Sequence, residues 1–358
     1  MPAAPRPLPP EVSTELVRFL VPGTSGRFRC GGLSVEQQTA RLVAGICSTE
    51  LVTYRERSPD HPYLDDLLST GSHQNQILWI VSWGFDVPWL IRRLQGHRVA
   101  YHAHSSGYGF GLPAGVPVLA VSANTLGYWG DRAPRNPLFL LPNALDGEWH
   151  DRGARLNEVP RSIDVLVQAR KSSNYLLRQL VPVLRSQGLK VTVQTGWVED
   201  LVELFNQSTV VLYDSADYWR SRGVTEGFGL PPLEALACGC VVFSSLNHAL
   251  ADYADPGHVL HQIGCGSLSF DVERVVSAVA KPKAWKPSRD VLAALLETCS
   301  EEALQQRWKD VFSQLDALQS HLVSDRPLKS KSTLILRCGL WIAHARRVVN
   351  RLPGWPFG

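Results

Sequence analysis

Glu226-Gly-Phe-Gly-Leu-Pro-Pro-Leu-Glu234-Ala-Leu-Ala-Cys-Gly-Cys240 is the stretch from which the rest of the chain can be read. The apolar, β-branched run from Thr209 to Asp214 precedes it and Val241 to Ser245 follows it, both of strand type. Between them Pro231 and Pro232 suit only the first turn of a helix, Leu233 to Ala237 favour helix, and Gly239 stands where a helix would end. The unit reads strand, loop, helix, strand, as in a sheet of alternating βα elements.

Gly227 and Gly229 then lie just before a helix N-terminus, where free amides and the positive end of the dipole attract anions. Two positions without side chains let a phosphate or sugar hydroxyl approach the backbone. Glu226 precedes the turn and Glu234 falls in the helix's first turn, so both carboxylates are expected in one crevice beyond the strand ends, where open α/β sheets bind ligands. A first-turn Glu also complements the helix dipole by about 0.3–1 kcal/mol with no ligand at all, and for Glu234 alone both readings stand.

Working outward, Leu16 to Val21 reads as a first strand and Ser34 to Ile46 as a helix with Ser34 as N-cap, joined by the glycine-rich Gly23 to Gly32. Gln76 to Ser82, Arg98 to His102 and Val116 to Ser122 are further strands, with a helix from Asp86 to Leu94. Tyr101-His-Ala-His104 places two imidazoles one residue apart on a strand end, facing the same way. Three readings stay open for them: a hydrogen-bonded structural pair, an acceptor of a hydroxyl proton near neutral pH, or a two-His metal site with no evident third ligand.

The residues resemble the retaining glycosyltransferases of the two-domain GT-B type, those like family 4, whose C-terminal domain carries Glu-Gly-Phe-Gly-Leu and, three variable residues later, Glu-Ala. Glu226 to Leu230 and Glu234-Ala235 match that pattern position for position. The resemblance implies two Rossmann-like domains with largely parallel sheets facing each other across a cleft. It further implies transfer of a sugar from a nucleotide-diphosphate sugar, a UDP- or GDP-sugar, to a glycan, lipid-linked or other acceptor hydroxyl, as in polysaccharide biosynthesis, with retention and without a metal. Glu226 would hold donor hydroxyls, the amides of Gly227, Phe228, Gly229 and Leu230 would face sugar and diphosphate, and Glu234 would bind the ribose. Gly31 and Gly32 would face the diphosphate from the other domain, and His104, with His102 close behind, would face the acceptor.

The strand Ser162 to Gln168 is followed by Arg170 and Lys171, where the family neutralises the diphosphate with an arginine and, five residues on, a lysine. Tyr175 occupies that lysine position, so Lys171 must reach the phosphates instead. Tyr218 to Arg222 is an aromatic, basic insertion before Glu226, a lid or a packed loop. Leu140 to Asp146 resembles the segment that leads out of the first domain in this family. The expected layout is a disordered leader at 1–13, an acceptor domain at 14–150, a linker at 151–161, a donor domain at 162–322 and a C-terminal helix at 332–350. Thr333 to Val349 mixes apolar residues with Arg337, Arg346 and Arg347, so that helix either crosses back to the first domain or rests on an anionic membrane surface.

Composition excludes other classes. A chain of 358 residues with 44% hydrophobic content holds two ordinary domains, and a net charge of +3 gives no case for nucleic acid. Seven cysteines without metal spacing read as buried thiols in a reducing compartment, and the absence of a signal sequence or an apolar run of about 18 residues points to the cytoplasm. A non-catalytic scaffold of the same fold, and a sugar-nucleotide epimerase or hydrolase, remain as rivals.

Overall fold

A computed structural model describes residues 14–70, 76–153, 161–324 and 333–349, without side-chain placement for 320–324, 333, 336 and 347–349. The expected leader and most of the expected linker at 151–161 lie outside the described residues.

The first half alternates β1 (Leu16–Val21), α1 (Gly31–Val43), β2 (Ser48–Thr53), α2 (Leu64–Ser69), β3 (Ile77–Val81), α3 (Val87–Arg93), β4 (Arg98–Ala103), β5 (Val118–Ala120), α4 (Ala123–Arg132) and β6 (Leu138–Leu140). Its strands form one parallel sheet in the order β2-β1-β3-β4-β5-β6. β3 is a continuous apolar run, and β1 is one apart from Arg18, which pairs with Glu50 at 2.7 Å, because helices cover both faces of a parallel sheet; Phe19 pairs with Ile80 in register.

After α5 (Gly147–Arg152), the second half runs β7 (Ile163–Gln168), α6 (Val181–Ser186), β8 (Val191–Gln194), α7 (Leu201–Asn206), β9 (Ser208–Tyr213), α8 (Ala216–Arg222), α9 (Leu230–Ala237), β10 (Val241–Ser244), β11 (His261–Gln262), α10 (Leu268–Ala280) and α11 (Arg289–Thr298). Its sheet is also parallel, ordered β11-β10-β9-β7-β8. The chain reverses its direction of sheet growth between β7 and β9, and ligand crevices form beyond the carboxyl ends at such a point.

α12 (Glu301–Ser324) returns to the first sheet. Trp308, Phe312, Val311 and Leu315 are buried there with Val17, Phe19, Leu78 and Ile80, and the Trp308 ring meets Phe19 edge-on at 5.9 Å. The crossing expected of the segment 332–350 is therefore made by α12, which the sequence reading placed in the second domain. The final helix, α13 (Thr333–Val349), has every described side chain exposed.

Two local expectations are corrected. α1 begins at Gly31 with Cys30 as N-cap, so Gly31 and Gly32 form its first turn, and Ser34 instead donates its hydroxyl to the Cys30 carbonyl. Gly147–Arg152, which runs across the expected boundary between acceptor domain and linker, is helical because the Asp146 side chain caps it by accepting from the Glu148 amide. The cysteines are all free, but only Cys238, Cys240 and Cys299 are buried; Cys265 and Cys338 are exposed.

Candidate functional site

The carboxyl ends of β7 and β9, neighbours in the sheet, converge on Glu226. This carboxylate is 4% exposed and accepts three hydrogen bonds: from Lys171 Nζ at 3.1 Å on one oxygen, and from the Tyr213 hydroxyl and Trp219 Nε1, both at 2.6 Å, on the other. Burial pushes the Glu226 carboxyl up, but the Lys171 charge and the three donors outweigh it and hold it below its ordinary value. The Lys171 ammonium also lies 4.6 Å from the Trp219 ring centroid.

Backbone strain gathers at the same carboxylate. Among the described residues the only non-glycine positions at positive φ are Lys171 (φ 72) and His248 (φ 53). Lys171 turns off the end of β7 in this conformation to reach the Glu226 side chain, and the Glu226 amide donates to His248 Nδ1 at 3.3 Å. A left-handed non-glycine residue costs of order 1–3 kcal/mol and persists only where its surroundings over-determine it, which is common at ligand sites.

From Glu226 the chain enters α9 as its residues dictate. Gly229, at φ 85, is the N-cap, the prolines fill the first turn, and Phe228 packs inward on Tyr253 with ring centroids 5.5 Å apart. Glu234 is partly buried, makes no hydrogen bond through its carboxylate among the described residues, and is pushed up to about 7 by burial against the pull of Lys171. Both carboxylates expected in one crevice thus feel the same ammonium.

Across from the turn stands the end of β4. Glu36, buried on α1, accepts with one oxygen from His102 Nδ1 at 2.9 Å and from His104 Nε2 at 2.7 Å; the two rings lie 4.2 Å apart. His102 is 2% exposed, whereas the His104 side chain keeps 17% of its surface, so His104 is the one with access to the cleft. An ionised Glu36 only accepts, so both facing nitrogens carry hydrogens, and the other ring nitrogen of His104 is Nδ1. Glu36 is the third ligand-type group that the sequence reading found no place for, its ligand atom within 4.8 Å of the two imidazole nitrogens. Those same atoms already satisfy one another as hydrogen-bond partners, which accounts for the cluster without an ion.

A pH dependence follows. Burial and the neighbouring His104 push the His102 imidazole down from 6.5, and the two histidines hold Glu36 well below the usual carboxylate range. In both cases the unfolded chain binds more protons than the folded one as pH falls, so stability is full above pH 6.5 and is lost first through His102, then through Glu36. The unfolding midpoint is expected to drop below pH 6.5, and His102→Asn, which keeps a donor to Glu36, is expected to flatten the slope that begins there. Identical slopes in the two proteins would remove His102 from that role.

The two sides touch. Ser105 Oγ donates to the Thr225 carbonyl at 2.6 Å, the Ser106 amide donates to Thr225 Oγ1 at 3.0 Å, and the Thr225 amide donates to the Ser106 carbonyl at 3.1 Å. A β-carbon on Gly227 would stand 1.5 Å from the His104 carbonyl oxygen, so the two backbones are in direct contact and only glycine fits.

Of the residues singled out in the sequence, Glu226, Lys171, Gly227 and His104 are brought together. Gly229 and Leu230 begin α9 beside them, and the Phe228 side chain belongs to the core. Arg170 is exposed and makes no ion pair among the described residues. Tyr175 donates to Asp271 at 2.6 Å, so it braces α10. Tyr218 to Arg222 is helix α8, which delivers Trp219 to Glu226. Beside Lys171 a cavity of about 570 Å³ is lined by Ser172, Ser173, Asn174, Tyr218, Arg220 and Arg222. Sequence reasoning missed Glu36, Tyr213, His248 and Thr225, and it singled out Trp219 only as part of the aromatic insertion, not as a partner of Glu226. Of the missed residues Glu36 carried a signal, a carboxylate on the apolar stripe of α1 with Leu33, Ala40 and Val43.

Comparison with known proteins bears on the fold and on the stretch around the turn. Residues 185–273, which span Glu226 and Glu234, match the family model described as Glycosyl transferases group 1. No curated protein matches the chain. Among solved structures, sucrose-phosphate synthase from Thermosynechococcus elongatus is similar over 85% of this chain and 99% of its own, at 14% identity and a TM-score of 0.59. A glycosyltransferase from Rickettsia africae is similar over 84% and 98%, at 11% identity and 0.59. HepE of Anabaena, solved in complex with UDP and glucose, is similar over 84% and 100%, at 13% identity and 0.58. Two parallel sheets flanked by helices, matched over most of the chain, are the GT-B fold.

Proposed function

We propose that this protein is a retaining, metal-independent glycosyltransferase that acts in the cytoplasm, moving a sugar from a UDP- or GDP-sugar to a hydroxyl of a glycan or lipid-linked acceptor. The observation that carries this reading is the Glu226 carboxylate, held by Lys171, Tyr213 and Trp219 at the mouth of the α9 turn, with the next residue, Gly227, against the His104 backbone of the other half. It is supported by the glycosyl transferases group 1 match over the same residues and by the UDP and glucose in the HepE structure.

In this reading Glu226 orients donor hydroxyls, and Glu234 accepts from the ribose. Charge grows on the leaving diphosphate as the sugar becomes oxocarbenium-like, so the exposed guanidinium of Arg170, the Lys171 ammonium and the α9 amides act as electrostatic stabilisers, with the Gly31 and Gly32 amides opposite. The acceptor proton passes to the leaving phosphate, and His104 positions the acceptor.

The test is thermal unfolding against UDP, GDP, ADP and TDP, since a ligand at 100 times its dissociation constant adds about 2.7 kcal/mol. A shift with one nucleotide supports a donor site; no shift with any of them sinks the assignment. Glu234 sharpens the test. Its folded carboxyl is raised from 4.5 to about 7, so the unfolded chain loses its proton first and stability falls as pH rises through that window. Glu234→Gln is expected to gain up to about 3 kcal/mol of stability at alkaline pH while losing the nucleotide shift. In the wild type, nucleotide affinity is expected to rise through pH about 7 as the carboxylate forms. A stabilised variant that binds nucleotide as well as the wild type would remove Glu234 from the site.

A further inference from the structure

The tail beyond the two sheets has a composition of its own. Residues 326–358 hold seven lysines and arginines and no Asp or Glu, so the tail carries +7 while residues 1–325 carry −4, giving the chain its +3. Within the tail, α13 exposes Leu334 (72%), Leu340 (70%) and Trp341 (75%), and every described residue from 337 to 346 is exposed. Large apolar side chains left open together on one helix are unusual on a soluble surface and mark a contact site.

The order of residues says what covers them. At about 100° per residue, Leu334, Cys338, Trp341, Ile342 and Ala345 fall on one stripe, and Arg337 and Arg346 stand at its two edges. His344 lies outside the stripe, and so does Leu340, which stands on the far side of the helix. Arginines at the borders of an apolar stripe can extend to headgroups while the stripe enters the acyl boundary, and a tryptophan within it suits the same depth. Seventeen helical residues span only about 25 Å, less than a hydrocarbon core, and no described helix is long and apolar enough to cross a membrane. A negatively charged body would be repelled by an anionic surface that attracts the tail, so attraction is confined to the tail.

We propose that α13 binds in the plane of an anionic lipid surface, Trp341 side down, and tethers the two-sheet body to it. The inference does not depend on the transferase reading, because it rests on the tail alone.

Flotation with phosphatidylcholine vesicles, with and without phosphatidylglycerol, tests it. The full chain is expected to float only with the anionic vesicles and to be released by high salt. A chain ending at Ser324 is expected to stay behind while keeping the unfolding midpoint and nucleotide response of the full chain. Replacing Arg337, Arg346 and Arg347 together with alanine is expected to lower the partition coefficient by about a hundredfold, about fivefold per arginine. Equal flotation of full and shortened chains overturns the proposal. So does failure of the full chain to float, with or without a tail-dependent dimer by light scattering, the dimer meaning that a second copy covers the stripe.

Discussion

Gly227→Ala is expected to lower sugar transfer by about a hundredfold or more while both sheets stay folded, since misplacing reacting groups by about 1 Å can cost that much. The added β-carbon would stand 1.5 Å from the His104 carbonyl oxygen and 2.7 Å from its carbon. Neither is the end of a flexible side chain, so the clash is relieved only by moving one backbone segment away from the other. That movement breaks the bonds of Ser105 and Ser106 to Thr225 and takes His104 off the Glu226 turn. Most of the apolar interior is divided between a cluster around Trp79, Tyr101 and Trp129 and another around Leu176, Leu212 and Phe243, which opening the cleft leaves intact; only Val121, buried with Leu166, Phe228 and Leu236 of the second half, is disturbed. Small-angle scattering is expected to show a larger radius of gyration, with little change in unfolding midpoint. Gly26→Ala is the control, because nothing lies within 4 Å of its added carbon. A Gly227→Ala protein with normal rate and normal scattering would mean that the contact between His104 and Gly227 is not part of the working conformation.

Local chemistry made part of this site legible and long-range packing hid the rest. Strand β9, helix α9 with its prolines in the first turn, and strand β10 stand where runs of apolar residues and Pro/Gly punctuation put them, and Gly239, at φ 68, ends the helix as its lack of a side chain allows. The two histidines share a face because a strand alternates, and both reach one carboxylate oxygen. What brings Lys171 to Glu226 is a left-handed backbone at a residue type that rarely adopts it, and no propensity foretells that. Trp219 reads as part of an aromatic insertion until α8 forms and turns its indole inward. The amphipathic pattern of Glu301 to Leu322 announces a helix, yet its choice of the first sheet over the second depends on Trp308 finding Phe19 nearly 300 residues away. The start of α1 was misplaced for the opposite reason: local rules favour Ser34 as the cap, and the helix starts earlier because its buried residues Leu33, Val35, Glu36 and Thr39 already pack from the first turn.

Glu226→Gln is expected to reduce kcat/KM by roughly 10²–10³-fold and to cost about 3 kcal/mol of stability, the lower end for breaking a buried ion pair. A carboxylate offers two acceptor oxygens to Lys171, Tyr213 and Trp219; a glutamine offers one, and its amide sets an N–H against a donor that has nowhere else to turn. Lys171 then loses its countercharge while its strained backbone remains. At about 2–4 °C per kcal/mol the unfolding midpoint is expected to fall by roughly 6–12 °C. The wild-type contribution is present above pH 4.5, the ordinary value of the carboxyl, and is lost as pH falls through the depressed folded value, so the two proteins converge in acid. A double variant, Glu226→Gln with Lys171→Met, separates fold from chemistry. Removing the ammonium takes away the stranded charge and lets an apolar stem lie on the Trp219 ring, so stability is expected to return in part. Transfer is not expected to return, because the carboxylate that orients the donor and the cation that neutralises its diphosphate are both gone. If the double variant regained activity along with stability, Glu226 would be a brace for the α9 turn, and the group that orients the sugar would have to be sought in Glu234 or across the cleft at His104.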